Sequence, residues 1–202
     1  MKHRTFKVGT FKKLEGLDYA HPEPFRNWKT MVLSAAIGGW VRLDPPSLEL
    51  ATLALSELER RGEDLNAAMK FAGAGLEAIG WLDDARAAVR ETFTEDVLNE
   101  QKTGKLGASV YVMLRGGYTG DNGWYGAYVG STGKSPERRC AEHRKGIRSA
   151  RGLPRYGIEP LWSLFDFINP VPKARAGREE WETRLHEALA PVIPKVTGDV
   201  AF

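Results

Sequence analysis

Ala108-Ser-Val-Tyr-Val-Met-Leu114 is uncharged and rich in β-branched and aromatic residues, the composition of a strand packed on a core. Gly116-Gly117 and the Thr119-Gly-Asp-Asn-Gly123 segment follow it and predict a turn, so Trp124 to Gly130 reads as the returning strand of a hairpin. Ser135-Pro136 is a helix start, with Ser as N-cap and Pro at the first helical position, and that helix is expected to run to about Arg148. Leu161 to Ile168 reads as a third strand, stopped by Asn169-Pro170-Val-Pro172. Gly177 to Ala190 reads as a closing helix with Trp181, Leu185, Ala188 and Val192 on one face. The order β-β-α-β-α predicts an α+β unit: a small three-stranded mixed or antiparallel sheet flanked by helices.

Upstream the periodicity changes. Residues 1–30 hold scattered aromatics and prolines and show no clean repeat, whereas Thr30–Val41 is a short apolar helix with Gly38-Gly39 near its end. Asp44-Pro45-Pro46-Ser47 stops it and starts another, Leu48 to Arg61, which Gly62 terminates. Asp64 is placed to cap a helix from Leu65 to about Trp81, and Asp83 or Asp84 a further one through Phe93. The polar stretch Asn99–Lys105 reads as a linker, which divides the chain into a mainly helical domain, residues 1–100, and an α+β domain, residues 101–202. The Leu48–Arg61 and Leu65–Trp81 helices could form a helix-turn-helix, but they carry no sharp signature of one, and a packing bundle is the preferred reading.

Composition narrows the field. No apolar run approaches the roughly 18–20 residues that cross a bilayer, and the basic start, MKHRTFKVGTFKK, lacks the apolar stretch of a secretory signal. A single cysteine, Cys140, excludes an internal disulfide framework and a four-thiolate zinc site. A cytoplasmic protein without membrane partners is expected. The net charge of +3 is small, but it is unevenly placed: Lys134, Arg138, Arg139, Arg144, Lys145, Arg148, Arg151 and Arg155 are opposed only by Glu137 and Glu142. A phosphate backbone is the commonest partner for such a surplus; a solvated helix face followed by a basic loop is the alternative.

Four features stand in an order that makes chemical sense. Tyr111 lies midway along the first strand; Tyr128-Val129-Gly130, followed by Ser131-Thr132, ends the second. Arg139 and His143 are four apart and share a helix face. Glu182 is the best-placed carboxylate of the last helix, among Glu179, Glu180 and Glu187.

With this set, about 80 residues of the C-terminal half resemble the GIY-YIG nuclease superfamily. Ser109-Val110-Tyr111 stands at the first motif, Tyr128-Val129-Gly130 at the second, and Arg139-Cys-Ala-Glu-His143 at the Arg-x-x-x-His helix. Arg155-Tyr156-Gly157, then Trp162 and Phe165, look like the segment that follows it, and Glu182 has the right relation to Leu185 and Leu189. The chain departs from the pattern at Ser109, where a glycine is usual, and in a longer hairpin. It also carries an extra residue near Gly133, which leaves Arg138 as an alternative to Arg139, and it lacks the asparagine that many members carry after the acidic helix. The resemblance implies a metal-dependent endonuclease acting on DNA, with Tyr111 as general base, Tyr128 orienting water or phosphate, and Glu182 binding Mg2+ or Mn2+.

The residue types suit that chemistry. Arg139 offers a planar, permanently charged fork for phosphate oxygens, and a single protein carboxylate suffices for Mg2+, which keeps several waters. His143 can carry a proton or hydrogen-bond the phosphate. A tyrosine serves as base only if its pKa, normally about 10, is lowered by cations or metal-bound water. Lys134, Arg138, Arg144, Lys145, Arg148, Arg151 and Arg155 are then the expected DNA contacts.

Each residue also has a plainer reading. The tyrosines are ordinary strand aromatics, Arg139 and His143 a solvated helix face, and Glu182 a surface ion-pair partner. Cys140, with Ile147, reads as core rather than as a nucleophile beside His143, and His186 as a partly exposed helix residue rather than a second ligand. Trp124-Tyr125 fits either stacking on bases or packing on the helical half. Two further functions compete with the nuclease: nucleic-acid binding without cutting, and an interaction protein acting through residues 1–100. Homodimerisation and a protein partner for the helical half are compatible with all three.

Overall fold

The structure, a computed structural model, describes residues 12–100, 104–117 and 124–198. Five helices come first: α1 (Thr30–Trp40), α2 (Leu48–Arg60), α3 (Leu65–Gly73), α4 (Leu82–Thr92) and α5 (Glu95–Glu100). After them come β1 (Leu106–Arg115), β2 (Gly126–Thr132), α6 (Pro136–Arg144), α7 (Leu153–Tyr156), β3 (Gly157–Pro160), β4 (Val171–Pro172), α8 (Arg175–Leu189) and β5 (Val196–Gly198). The α+β class expected from the sequence is what forms. The sheet is larger than three strands: its order is β3-β1-β2-β5, with β4 also paired to β1 and β5 parallel to β2. The turn expected at Thr119–Gly123 lies outside the described residues, as do residues 101–103 of the expected linker.

Three helices stop where glycine permits a Schellman cap. Gly62, Gly75 and Gly146 sit at φ +72°, +66° and +74°. At α3, Gly75 N–H donates to the Ala72 carbonyl and Leu76 N–H to that of Phe71; at α6, Gly146 donates to His143 and Ile147 to Glu142. This corrects two expectations. The helix begun at Leu65 ends at Gly73 rather than near Trp81, and the one begun at Pro136 ends at Arg144 rather than Arg148. The Ser135 cap does form, its hydroxyl accepting from Arg138 N–H at 3.4 Å. Asp83 and Asp84 lie inside the first turn of α4, where acidic residues suit the helix dipole, rather than capping it.

The third strand also differs. It is Gly157–Pro160, pairing antiparallel to β1 through Met113↔Pro160 and Arg115↔Gly157. The apolar run after it folds into short 3₁₀ turns at Trp162–Leu164 and Asp166–Ile168, with Trp162, Leu164, Phe165 and Ile168 buried. An apolar run alone does not separate a core strand from a buried turn; here a distant carboxylate decides. Glu49 of α2 accepts hydrogen bonds from Trp162 N–H (3.0 Å) and Ser163 N–H (2.7 Å), drawing the chain out of the sheet.

The exchange is mutual. Ser47, the N-cap of α2, makes no side-chain cap hydrogen bond, and Glu159 of β3 instead accepts from Glu49 N–H at 2.7 Å. Each carboxylate thus satisfies amides of the other half of the chain. Trp81 Nε1 donates to the Tyr125 carbonyl (3.1 Å), and Phe93 stacks on Trp181 at 5.6 Å. One hydrophobic cluster runs from Phe25 and Leu48 to Val112 and Leu185. No helix among the described residues is long and apolar enough to cross a membrane.

Candidate functional site

Strand register assembles the site. In the β1–β2 pair Tyr111 lies opposite Gly130, and Met113 opposite Tyr128. Tyr111 and Tyr128 are therefore diagonal neighbours on one face, with ring centroids 6.1 Å apart. Gly130 makes the arrangement possible: a Cβ there would fall 2.5 Å from the Tyr111 hydroxyl and 2.9 Å from Tyr128 Cε1. α6 supplies His143, fully buried, whose ring lies 5.8 Å from that of Tyr111 and 5.4 Å, edge-on, from that of Tyr128.

Within this triangle the Tyr111 hydroxyl and His143 Nε2 are hydrogen-bonded at 2.7 Å. The rest of the network bears on Nδ1. Ser149 Oγ donates to the Ala150 carbonyl (3.2 Å), and a hydroxyl has one proton to give, so it accepts from His143 Nδ1 (3.2 Å). The tautomer with its proton on Nδ1 alone presents a lone pair at Nε2, and in that tautomer Tyr111 is the donor. Burial, with the neighbouring Tyr128, raises the Tyr111 phenol above its ordinary range, and the nearby Arg139 charge only partly opposes this. Among the chain's own groups, burial thus outweighs the Arg139 charge at this phenol.

Tyr111, Tyr128, Ser131, Arg139, Glu179 and Glu182 line one cavity of about 260 Å³, together with Arg175 and Arg178. Glu182, 6% exposed, is its buried carboxylate. Glu179 is tied to Arg175 at 2.7 Å, and Glu180 does not line the cavity. Among the described residues no three His, Cys, Asp or Glu groups converge. A metal here would rest on Glu182, water and substrate oxygens, a donor set that suits a hard cation such as Mg2+ and not zinc. Arg139 reaches the cavity but also donates to the loop beyond α6, through Nη2 to the Arg148 carbonyl (2.8 Å) and Nη1 to that of Ile147 (3.4 Å). It holds in place a loop whose Arg148 adopts φ +45°.

The expected DNA contacts divide. Lys134 and Arg138 both pair with Glu142, which lies between them, and those contacts, Lys134 first, hold its carboxyl below the usual range. Arg144 is half-buried and donates to the Ile158 carbonyl. Lys145, Arg148, Arg151 and Arg155 are exposed; Arg155 covers the Tyr156 ring at 5.1 Å, and Arg151 lines a neighbouring cavity that shares Tyr128 with the first.

Cys140 is core, its thiol pushed up by burial, but its expected stripe partner Ile147 is 50% exposed because the Gly146 cap turns it out of the helix. His186 is half-buried, and burial lowers its pKa. The Trp124-Tyr125 pair splits: Tyr125 packs on the helical half, while Trp124 is 57% exposed. Sequence reasoning missed Ser149, Arg175 and Arg178. Ser149 lies in an irregular loop and gives no periodic signal, whereas Arg178, four residues before Glu182 on one helix, could have been found by spacing. Compared with family models, with curated proteins and with solved structures, the chain matches none.

Proposed function

We propose that the protein is a metal-dependent endonuclease that hydrolyses phosphodiester bonds in DNA through a GIY-YIG-type site, acting in the cytoplasm. The observation that carries this reading is the Tyr111–His143 hydrogen bond at the wall of a cavity that also holds Arg139 and Glu182. Hydrolysis needs a water relieved of a proton, stabilisation of charge on the phosphate, and help for the leaving oxygen. With its pKa raised, Tyr111 acts as a relay: as water bonds to phosphorus and the bond from phosphorus to the leaving oxygen breaks, the water proton passes to the phenolic oxygen and the phenolic proton to His143 Nε2, and the leaving oxygen departs with the bonding pair and takes its proton from solvent. No free tyrosinate need form. Tyr128 orients the phosphate or the water, and Arg139 neutralises phosphate oxygens. Glu182 would hold Mg2+ or Mn2+, which supplies Lewis-acid stabilisation of the phosphate and the leaving oxygen.

Binding without cutting is the second reading, favoured by the elevated Tyr111 phenol and by the use of Arg139 donors on a loop. Supercoiled plasmid, incubated with the protein and Mg2+ or Mn2+ beside an EDTA control, separates the two. Metal-dependent nicking that falls by about 10²–10⁴-fold in Tyr111→Phe is expected of the nuclease. Plasmid left intact by a wild-type protein that retards it in a gel would establish the binder.

A further inference from the structure

Arg178 stands on α8 one turn before Glu182 and lines the same cavity. Its guanidinium reaches across to the end of β2, where a Cβ on Gly133 would meet Nη1 at 3.4 Å. The side chain is half-buried, and its buried Nε has no hydrogen-bond partner among the described residues. None of the ion pairs among the described residues includes it: Arg175 takes Glu179 at 2.7 Å, and Lys134, Arg138 and Arg139 gather on Glu142.

A charged donor withdrawn from water without a partner is destabilising. A groove that keeps one beside a carboxylate and two tyrosines is complementary to an anion that brings its own oxygens. Arg139, the guanidinium singled out by the motif, already directs two of its nitrogens at the Ile147 and Arg148 carbonyls. Arg178 lines the same cavity, and no ion pair among the described residues engages its guanidinium.

We infer that Arg178 is a phosphate-binding residue of this cavity, donating to oxygens of the phosphodiester from the α8 side while Arg139 faces it from the α6 side. The inference rests on the nuclease reading only for the identity of the phosphate as DNA; the anion site stands without it. The sequence carries a hint of the same role, since no acidic residue occupies the first turn of α8, and the basic residues at 175 and 178 stand there instead.

Inorganic phosphate is the probe. Wild type, Arg178→Gln and Arg178→Lys are titrated with phosphate against a chloride control of equal ionic strength, following thermal midpoint and tryptophan fluorescence. Losing a charge-assisted hydrogen bond of about 1.5–3 kcal/mol predicts phosphate binding about 10- to 100-fold weaker in Arg178→Gln. Arg178→Lys keeps the charge without the fork and falls between. Without phosphate the Gln variant melts at or above the wild-type temperature, because a buried unsatisfied donor has been removed. Plasmid cutting measured in parallel keeps the two ideas apart. Phosphate binding that depends on Arg178 in a protein that cuts nothing would sink the nuclease reading and leave this one standing. Equal phosphate affinity in wild type and Arg178→Gln overturns the inference whether or not the protein cuts, as does a Gln variant that unfolds before phosphate is added while the Lys variant binds phosphate no better than chloride.

Discussion

Gly130 has no side chain because the Tyr111 hydroxyl occupies the space a methyl group would need. Across an antiparallel pair the residue opposite is the nearest neighbour, so a ring on β1 that leans over β2 needs a glycine beneath it. Gly130→Ala places a carbon 2.5 Å from the phenolic oxygen, and both rings and His143 must shift together. Overpacking of this kind costs about 1–3 kcal/mol, to be read from urea denaturation, and plasmid cutting should fall with it; unchanged stability would mean that the rings are not held as described. Tyr111→Phe asks a different question at the same point. It removes one hydrogen bond and adds no atoms, so stability should fall by only about 1 kcal/mol while cutting is lost. At this scale the sequence was legible where residues recur at strand and helix spacing and silent where a contact is local to a loop. That Tyr111, Tyr128, Arg139 and Glu182 come together at one cavity could be anticipated from their order and spacing. Ser149, which meets His143 Nδ1, could not, because nothing in Arg148-Ser149-Ala150 predicts that the loop folds back under the helix it has just left.

Elements end and turn in this molecule for reasons that lie partly outside themselves. Gly62, Gly75 and Gly146 end their helices by a local rule that can be read from the chain, and reading past the last two made those helices too long. Leu161–Ile168 could not have been placed from its own composition, since the Glu49 carboxylate that bends it is more than a hundred positions away. The Glu49–Glu159 exchange makes a pH prediction. Burial raises Glu49 to about 7, against the amide hydrogen bonds from Ser163 and Trp162, which lower it. Burial and the Glu49 charge raise Glu159 well above the usual carboxylate value. A carboxyl with a raised folded-state pKa binds more protons folded than unfolded. Its stabilising contribution is complete below the unfolded value of about 4.3 and is lost as pH rises through about 7. Urea midpoints measured from pH 5 to pH 8 should therefore decline in the wild type, and Glu49→Gln, which no longer ionises, should flatten that decline. A slope identical in the two proteins would mean that these carboxyls are not the groups being titrated.

At the scale of the whole chain, the question is whether the helices merely accompany the sheet or hold it. The polar stretch near residue 100 suggested two units, yet the contacts that position the site pass between them. The amides of Trp162 and Ser163 depend on Glu49, the Tyr125 carbonyl on Trp81, and the Trp181 face of α8 on Phe93. On the proposed nuclease reading that last contact matters most, since Glu182 is the next residue on α8 and Arg178 lies one turn earlier. Phe93→Ala, remote from the cavity, removes the ring stacked on Trp181 and is expected to cost about 3–5 kcal/mol, as large-to-small changes of buried aromatics do. Tryptophan fluorescence and far-UV circular dichroism should report one coincident unfolding transition for the intact chain. Residues 101–202 expressed alone would expose Tyr125, Trp162 and Trp181, and leave the Trp162 and Ser163 amides without Glu49. That fragment should lack a cooperative melt and should not cut plasmid. A fragment that melts cooperatively and cuts like the whole chain would show that the helical half is free for work of its own, such as target choice or a partner.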